Sequence, residues 1–429
     1  MKLAVALVCV TVASAAWADA PKMVKGPYLQ NLAPQSITVM WQLEVPAAAR
    51  VTVTGPGGEK SVEVAAGPVG EATIAGLTPA SRYRYRVEAA GAAWEGELRT
   101  APPIGAAVPF SFLVMGDSRD GAEAHRRVVE RAAEEVPDFV LGTGDMVDDG
   151  AKAEQWQAFF DIESAQMRDN VYYPAIGNHD RQGRGRTADT YRELFAVPDN
   201  GADSERYYAF TYANARFLVL DSNEYSFALT DQTAWLEREL IAARQDPQIQ
   251  HIFCVMHHPP FSISLHGGNR DLRERWTPLF EKYQVSAVFA GHDHVYERAE
   301  HEGIRYFVTG GAGAPLYPKR PHPSAIDAEA VKKFERAYHF LRVTLTGNRI
   351  EVTAVRVDGT TIETTSWLDG EAVQSGAPPA AVPPAPAAVV APVAAPAAAA
   401  DGPSGILWLA LAAVVLALGA AVVVVRTLR

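Results

Sequence analysis

The stretch Val285-Ser286-Ala287-Val288-Phe289-Ala290 leads directly into Gly291-His292-Asp293-His294. The part up to Ala290 is a mostly apolar run that is typical of a buried β-strand. Histidine is a common metal ligand near neutral pH, and two imidazoles just past a strand end can reach two neighbouring points. Most surface histidine pairs bind nothing, so the case for a metal site depends on what other segments contribute.

Four upstream segments show the same arrangement, in which an apolar run ends on residues that can bind a metal. They are Phe110 to Met115 before Gly116-Asp117, Asp138 to Leu141 before Gly144-Asp145, Val171 to Ile176 before Gly177-Asn178-His179, and Ile252 to Met256 before His257. Strands alternating with helices predict an open α/β sheet, in which the carboxyl ends of the strands meet at one crevice. We expect the preceding glycines to allow sharp turns and close approach to an ion. The candidate ligands are Asp117, Asp145, Asn178, His257, His292 and His294.

A donor set of carboxylates, an amide and imidazoles suits Fe, Mn or Zn better than Ca or Mg. Taken singly, an Asp after Gly is more often a turn residue, and a lone buried histidine often has a structural role. Taken together, the candidates are too many for one open catalytic ion and suit two ions that share one carboxylate. Two ions about 3.5–4 Å apart can activate a water molecule and hold a phosphoryl group.

The overall charge argues against a nucleic-acid-binding protein. The chain has 429 residues and a formal net charge of −11. An acidic surface repels a phosphate backbone, so no binding to nucleic acid duplexes is expected. An anionic substrate would have to be held by local positive charge, which bound metal ions supply.

Both ends of the chain predict export and anchoring. Residues 1–18 resemble a secretory signal peptide, with Lys2 before an apolar core and small residues at the cleavage site. Residues 371–404 form an Ala/Pro-rich linker, and residues 405–425 are apolar and long enough for a transmembrane helix. We therefore expect secretion across the inner membrane and a periplasmic or cell-surface protein, anchored in the membrane by its C-terminal helix. A cleaved sorting tail would give a similar pattern.

Residues 22–101 predict an all-β sandwich, and residues 107–360 predict the α/β domain that carries the candidate ligands. The segment from Gly76 to Tyr85 resembles the tyrosine-corner region of fibronectin type III domains. The unit can serve as a spacer, as a wall of the site, or as a binding module of its own. The predicted strands are Ser36 to Gln42, Ala49 to Thr54, Ser61 to Val64, Glu71 to Ala75 and Tyr83 to Ala89.

As a set, the motifs resemble those of the calcineurin-like metallophosphoesterase superfamily, and within it the purple acid phosphatases. That resemblance implies two packed mixed β-sheets flanked by helices behind a fibronectin III-like sandwich. No oligomeric state is predicted. The matching segments are Lys25 to Gln30, Gly116-Asp117, Gly144-Asp145, Gly177-Asn178-His179-Asp180, Val255-Met256-His257, Gly291-His292-Asp293-His294 and Tyr296-Glu297-Arg298.

The resemblance also implies a role for each residue. Asp145 would bridge two divalent or trivalent metal ions, Fe together with Zn, Mn or Fe. The first ion would take Asp117 and His294, and the second would take Asn178, His257 and His292. His179 would contact the phosphate and help to protonate the leaving group, and His266 is placed as a further substrate-facing histidine.

Two positions depart from the family pattern. Purple acid phosphatases have a colour-giving tyrosine three residues after the bridging aspartate, where this chain has Asp148. Other members have a histidine two residues after the first aspartate, where this chain has Arg119. We therefore predict a protein without the purple colour, in which water or Asp148 completes the first metal shell. Arg119 can bind phosphate oxygens or form a salt bridge with Asp120 or Asp149.

The leading hypothesis is an acid phosphatase-like hydrolase of phosphate monoesters, in which a hydroxide activated by the metals attacks phosphorus. A phosphodiesterase acting on nucleotides or lipid head groups is the second hypothesis, and a non-catalytic surface-binding module is the third. The pocket wall distinguishes the first two, and an intact ligand set argues against the third. The loops that build this wall are Arg181 to Thr190, Ser262 to Asp271 and Leu316 to Lys333.

Overall fold

The computed structural model describes residues 22–183, 187–199, 205–223 and 229–370. The predicted signal peptide, linker and membrane span lie outside these residues. In the described part of the chain, no helix is both long and apolar enough to cross a bilayer.

The N-terminal unit consists of antiparallel strands. These are β1 (Met23–Gln30), β2 (Ser36–Leu43), β3 (Ala49–Gly55), β4 (Gly58–Val64), β5 (Gly70–Ala75), β6 (Arg82–Ala89) and β7 (Ala92–Arg99). One sheet has the order β1-β2-β5 and the other has the order β4-β3-β6-β7. The sequence did not predict β1 or β7. The edge strand β7 is largely half-exposed, so it lacks a strong alternation of apolar residues.

Two aromatic residues organise the interior of this unit. Trp41 is 2% exposed, and a Cβ atom at Gly70 would lie 2.1 Å from its ring, so only glycine fits there. The hydroxyl of Tyr83 accepts a hydrogen bond from the Thr78 amide at 2.8 Å and donates to the Pro56 carbonyl at 3.1 Å. A bond from a tyrosine hydroxyl to the backbone a few residues upstream is the defining contact of a tyrosine corner.

The rest of the described chain alternates strands and helices. The strands are β8 (Phe110–Met115), β9 (Phe139–Gly142), β10 (Tyr172–Pro174), β11 (Tyr208–Tyr212), β12 (Ala215–Val219), β13 (His251–Val255), β14 (Ala287–Ala290), β15 (Tyr296–His301), β16 (Ile304–Thr309), β17 (Val331–Glu335), β18 (His339–Thr346), β19 (Arg349–Arg356) and β20 (Thr361–Leu368). The α-helices are α1 (Ala122–Ala132), α2 (Ala153–Asp169), α3 (Asp189–Leu194), α4 (Leu229–Gln245), α5 (Arg270–Lys282) and α6 (Ala325–Ala330).

These strands form two mixed sheets, as predicted. The six-stranded sheet has the order β10-β9-β8-β18-β19-β20, and the seven-stranded sheet has the order β11-β12-β13-β14-β16-β15-β17. The strands β10, β9 and β8 are parallel, and so are β12, β13, β14 and β16. The sheets pack face to face through Phe112, whose ring lies 5.3 Å from Phe217 and 5.6 Å from Phe253. All the candidate ligands follow parallel strands, so this packing brings them to one end of the two sheets.

Several elements were not predicted from the sequence. Helix α5 is highly charged and contains Pro278, but Asn269 caps its first turn and it buries Leu272, Trp276 and Phe280. Strand β20 lies beyond the predicted domain end at residue 360 and pairs with β19. Its many Thr, Glu and Ser side chains are half-exposed, so the apolar pattern of a buried strand is missing.

The N-terminal unit packs against β10, the strand that leads to Asn178. The Gln30 amide donates to the Tyr172 carbonyl at 3.0 Å, and the Tyr173 hydroxyl bonds both the amide and the carbonyl of Leu32 at 3.1 Å. The Tyr28 hydroxyl donates to the Leu194 carbonyl at 2.7 Å. These buried contacts fix β10, and with it the loop that carries the candidate ligand.

Candidate metal centre

The candidate ligands lie in loops that are joined by backbone hydrogen bonds. The Asp117 amide donates to the Gly144 carbonyl at 2.9 Å, which joins the loops after β8 and β9. The Gly291 amide donates to the His257 carbonyl at 2.9 Å, which joins the loops after β13 and β14. Each pair of neighbouring parallel strands therefore presents its two loops as one rigid edge.

The backbone at three candidate ligands is strained. Asp117, Asp145 and His292 have φ angles of 60°, 54° and 68°. This left-handed region costs a residue other than glycine on the order of 1–3 kcal/mol, and such strain clusters at functional sites. The surrounding structure therefore holds these side chains in conformations that an unconstrained loop would not adopt.

The glycines before the candidate ligands differ in what they contribute. The candidate ligands Asp117 and His292 adopt the positive φ angles themselves, and the glycines Gly291 and Gly177 leave space for carboxylates. A Cβ atom at Gly291 would lie 2.3 Å from Asp117 Oδ2, and one at Gly177 would lie 2.1 Å from Asp145 Oδ1. Gly144, at φ 94°, is the only one of the four glycines before candidate ligands that the described backbone places at positive φ.

The structure brings all six sequence-predicted ligands together. His257 Nε2 lies 3.4 Å from Asp145 Oδ1, 3.1 Å from Asn178 Oδ1 and 3.2 Å from His292 Nδ1. On the other side, His294 Nε2 lies 3.5 Å from Asp117 Oδ1. Potential donor atoms of Asp117, Asp145 and His257 all lie within 4.8 Å of one another.

The protonation of two imidazoles shows what this cluster is suited to bind. His257 Nδ1 lies 2.9 Å from the Thr143 carbonyl, and His294 Nδ1 lies 2.8 Å from the Pro315 carbonyl. Because a carbonyl oxygen only accepts, each Nδ1 carries the hydrogen in the neutral ring and each Nε2 carries a lone pair. In the described residues, the buried His294 Nε2 has no hydrogen-bond partner. Imidazole lone pairs that converge on buried carboxylates fit metal cations.

The charges of the cluster lead to the same conclusion. Burial would lower the pKa of His257, but the carboxylates of Asp145 and Asp117 raise it to about 9. Burial lowers the pKa of His294 to about 4 and holds the pKa of His292 far below its ordinary value. The two buried carboxylates therefore attract positive charge, while His292 and His294 remain neutral ligands.

The central part of the chain matches a known protein family. Residues 110–296 match the family model described as calcineurin-like phosphoesterase. These residues form a calcineurin-like phosphoesterase domain. The match confirms the predicted resemblance to calcineurin-like phosphoesterases and ends at Tyr296, just after the motif from Gly291 to His294.

Sequence similarity to curated proteins extends beyond this domain. An uncharacterised protein of Mycobacterium tuberculosis is 30% identical over 272 residues, which cover 54% of this chain and 50% of that protein. A purple acid phosphatase of Glycine max is 27% identical over 268 residues, which cover 58% of this chain and 56% of that protein. The chain thus spans about half the length of these curated relatives. Together with the family match, the similarity to the purple acid phosphatase supports the predicted enzyme class of metal-dependent phosphoester hydrolases.

The fold has a counterpart among solved structures. The purple acid phosphatase PPD1 from seeds of yellow lupin (Lupinus luteus) aligns with a TM-score of 0.69 at 19% identity. The alignment covers 81% of this chain and 74% of that chain. The similarity therefore extends over both the N-terminal strands and the phosphoesterase domain, as a likeness of fold.

Arg119 lies at the candidate metal centre, and 11% of its side chain is exposed. Its Nη1 lies 2.8 Å from carboxylate oxygens of both Asp120 and Asp148, and its Nε lies 3.4 Å from Asp145 Oδ2. The predicted alternative pair with Asp120 is present, and Asp148 takes the place that was considered for Asp149. The Asp148 carboxylate is therefore paired with the Arg119 guanidinium.

The two candidate proton donors, both partly exposed, flank the centre. His179 Nδ1 donates to the Asp148 carbonyl at 2.7 Å, and its side chain is 32% exposed. His266 Nδ1 donates to Asp293 Oδ1 at 3.0 Å, and its side chain is 42% exposed. In each ring the hydrogen on Nδ1 is engaged, which leaves Nε2 available to a substrate.

A polar cavity of about 500 Å³ opens beside His292 and Asn178. In the part of the chain that the structure describes, Pro259 is the only residue in its lining with an apolar side chain. The other lining residues beyond the two ligands are Arg181, Asn223, His258, His266, Gly267, Gly268, Asn269, Arg270 and Asp271.

Two residues of the phosphoesterase domain were missed as site residues. Tyr317 stacks on the His294 ring at 3.9 Å, and its hydroxyl lies 3.5 Å from Arg119 Nη2. No sequence signal marked Tyr317, because it lies in a loop without regular structure. Asp180 was quoted only as part of a motif, although its carboxylate accepts from the amides of Asp145, Met146 and Gly177 at 2.8 to 2.9 Å.

Asp180 joins the loop of Asp145 to the loop of Asn178, so replacing it should loosen the centre. An asparagine would place an amide group against backbone N–H groups that need an acceptor. We expect Asp180→Asn to weaken metal binding about 10- to 100-fold, as is typical for residues behind the ligands. Calorimetric titration of the metal-free protein with Zn²⁺ or Mn²⁺ measures this. Asp161→Asn, on the exposed face of α2, is the control, and equal affinities in both variants would contradict the role of Asp180.

Proposed function

We propose that the chain is a dinuclear-metal phosphoesterase that hydrolyses phosphate monoesters. The observation that carries this proposal is the convergence of the His257 and His294 lone pairs on the buried carboxylates of Asp117 and Asp145. Two ions bound there would supply a nucleophile from water and neutralise charge on the phosphoryl group. The resemblance assigns Asp145 as the bridge, Asp117 and His294 to the first ion, and Asn178, His257 and His292 to the second.

Arg119 is the group placed to bind the phosphoryl oxygens. It stays protonated because Asp145, Tyr317 and Asp120 raise its pKa against the effect of burial. Its Nε is buried and has no hydrogen-bond partner among the described residues. A fixed guanidinium beside the bridging carboxylate favours the anionic phosphoryl group and the additional charge that develops during its transfer.

The cavity supports a monoester with a polar alcohol as its leaving group. Its described walls carry amides, imidazoles and guanidinium groups, with Pro259 as the only apolar side chain. A lipid chain would find little apolar surface there, and among the described residues that line the cavity the only aromatic rings are imidazoles. These walls favour the monoesterase over the diesterase hypothesis, and the complete set of candidate ligands argues against a non-catalytic module.

The remaining proposals concern the flanking segments. The Tyr83 hydrogen bond to Thr78 supports a fibronectin III-like class for the N-terminal unit. The apolar stretches at residues 1–18 and 405–425 support export and membrane anchoring of the phosphoesterase domain outside the cytoplasm. The net charge of −11 fits either of the two proposed locations, the periplasm and the cell surface.

Metal analysis combined with an ester panel tests the proposed function. We expect about two ions per chain and at least a ~10-fold preference for 4-nitrophenyl phosphate over bis(4-nitrophenyl) phosphate. Chelation should remove both the ions and the activity, and Fe²⁺, Mn²⁺ or Zn²⁺ should restore them. Turnover in metal-stripped protein would refute the proposal, and faster cleavage of the diester would support the phosphodiesterase instead.

A further inference from the structure

Asp293 lies between the two candidate ligands of the motif from Gly291 to His294, and its carboxylate bonds residues of another loop. Its side chain is fully buried. Its Oδ1 atom accepts hydrogen bonds from both the ring Nδ1 and the backbone amide of His266, at 3.0 and 3.1 Å. Its Oδ2 atom accepts from the Ser262 hydroxyl at 2.5 Å. Both oxygens of this carboxylate therefore accept hydrogen bonds from the loop of residues 262–266.

We infer that Asp293 is a positioning residue that holds His266 as the proton donor to the leaving group. This inference rests on the proposed phosphomonoesterase function. It gives the central residue of the His-x-His motif a function of its own beside the metal ligands.

The loop of residues 262–266 is anchored from behind by a second carboxylate. Glu297 is buried on β15, and its Oε1 accepts from the Ile263 amide at 3.1 Å. The Ser264 amide donates to the Ser262 hydroxyl at 3.0 Å. The guanidinium of Arg320 donates to the His266 carbonyl at 3.1 Å. The backbone around His266 is therefore fixed, although the histidine side chain itself is partly exposed.

The hydrogen bond to Asp293 determines which ring nitrogen of His266 can react. Asp293 accepts at both carboxylate oxygens, from His266 Nδ1 at Oδ1 and from the Ser262 hydroxyl at Oδ2. An ionised carboxylate only accepts, so His266 Nδ1 carries a hydrogen and Nε2 is the atom that can carry and release a second proton.

The position of His266 suits proton transfer to an ester oxygen. Its ring lies 4.3 Å from the ring of His292, and both residues line the polar cavity. As water forms its bond to phosphorus, the bond between phosphorus and the ester oxygen breaks, and the Nε2 proton moves to that oxygen. The products are the alcohol and inorganic phosphate, and the neutral imidazole regains a proton from the solvent.

The other candidate donor differs in what lies behind its ring. His179 Nδ1 donates to the uncharged Asp148 carbonyl, and the nearby Asp148 carboxylate is bound by Arg119. His266 instead has a buried carboxylate of its own. The charge behind the ring therefore favours His266 as the proton donor and leaves His179 to contact the phosphoryl oxygens.

A series of leaving groups tests the inference. The variants are Asp293→Asn, His266→Gln and the double variant, assayed on 4-nitrophenyl phosphate, phenyl phosphate and an alkyl phosphate such as glycerol 2-phosphate. A good leaving group needs no proton, so kcat/KM for the nitrophenyl ester should fall less than ~10-fold. The alkyl ester should lose about 100-fold or more, within the range that general acid catalysis contributes. The double variant should lose no more than either single one.

Other outcomes overturn the inference in distinct ways. Equal losses on all esters, or losses that multiply in the double variant, would show that Asp293 and His266 do not act together on the leaving group. If Asp293→Asn does not fold, ring ¹⁵N shifts of His266 in the unaltered protein decide, because an Nε2–H tautomer of the neutral ring contradicts the geometry. His322→Gln, on an exposed loop, is the matched histidine control. Absence of turnover in the unaltered protein on every ester would refute the proposed function instead.

Discussion

Replacing Asp145 with asparagine is expected to abolish hydrolysis of aryl phosphates and to reduce the metal content of the protein. The side chain is 1% exposed and lies within reach of His257 on one side and Arg119 on the other. Asparagine has the same size but no charge, and it is a poor bridge between two cations. Losing several kcal/mol of transition-state stabilisation corresponds to a fall in kcat/KM on the order of 1,000-fold or more.

Metal analysis and steady-state kinetics on the same preparation check this result. The matched control is Asp149→Asn, which makes the same substitution in the same loop at a side chain that bonds only the Ala151 amide in the described contacts. The control should keep full metal content and activity. Asp145→Asn that keeps both bound ions and turns over normally would contradict the assignment of Asp145 as the bridge.

Replacing Arg119 is expected to have the second largest effect, and it affects phosphate binding directly. Arg119→Gln keeps a polar side chain but removes the charge beside Asp145. Loss of one donor to a developing anion costs about 100- to 1,000-fold in rate, and we expect kcat/KM to fall by about 100-fold. Arg119→Lys should recover part of this loss, because an ammonium group restores the charge but not the planar pair of donors.

Inhibition by inorganic phosphate separates this role from a structural one. If Arg119 holds phosphoryl oxygens, the inhibition constant for phosphate should rise together with the loss of kcat/KM. If it only anchors Asp120 and Asp148, phosphate should bind as before while the thermal unfolding midpoint falls. The control is Arg127→Gln on the exposed face of α1, which should change none of these quantities.

The sequence predicted that the candidate ligands lie close together because of a simple topological rule. The strands before the ligands are apolar enough to be recognised, and their carboxyl ends meet at one end of the sheets. Each ligand also directly follows its strand, so a boundary error of a few residues did not move it elsewhere. The result was that Asp117, Asp145 and His257, far apart in sequence, were correctly expected to lie together.

The residues behind the ligands could not be predicted in the same way. Asp180 and Asp293 each bond groups in another loop, and the path of that loop depends on tertiary packing. Tyr317 reaches His294 from a loop that has no periodic pattern. Helix α5 was missed because its burial depends on three apolar side chains among many charges.

The role of the glycines also required the structure. A glycine before a ligand has two physical explanations, a positive φ angle or a lack of space for a Cβ atom. The sequence does not show which of the two applies at a given glycine. For Gly291 the second applies, because Asp117 Oδ2 occupies the place of its missing side chain.

The contact between the N-terminal unit and β10 has a consequence for solubility. Strand β10 is the outermost strand of its sheet, and an open sheet edge invites pairing with the edge of another molecule. Here the Tyr172 carbonyl accepts from Gln30, and the Pro174 carbonyl accepts from the hydroxyls of Tyr191 and Tyr208 at 2.9 Å. The first unit thus shields an aggregation-prone edge, and a phosphoesterase domain cut free at residue 107 would expose the part of it that Gln30 covers.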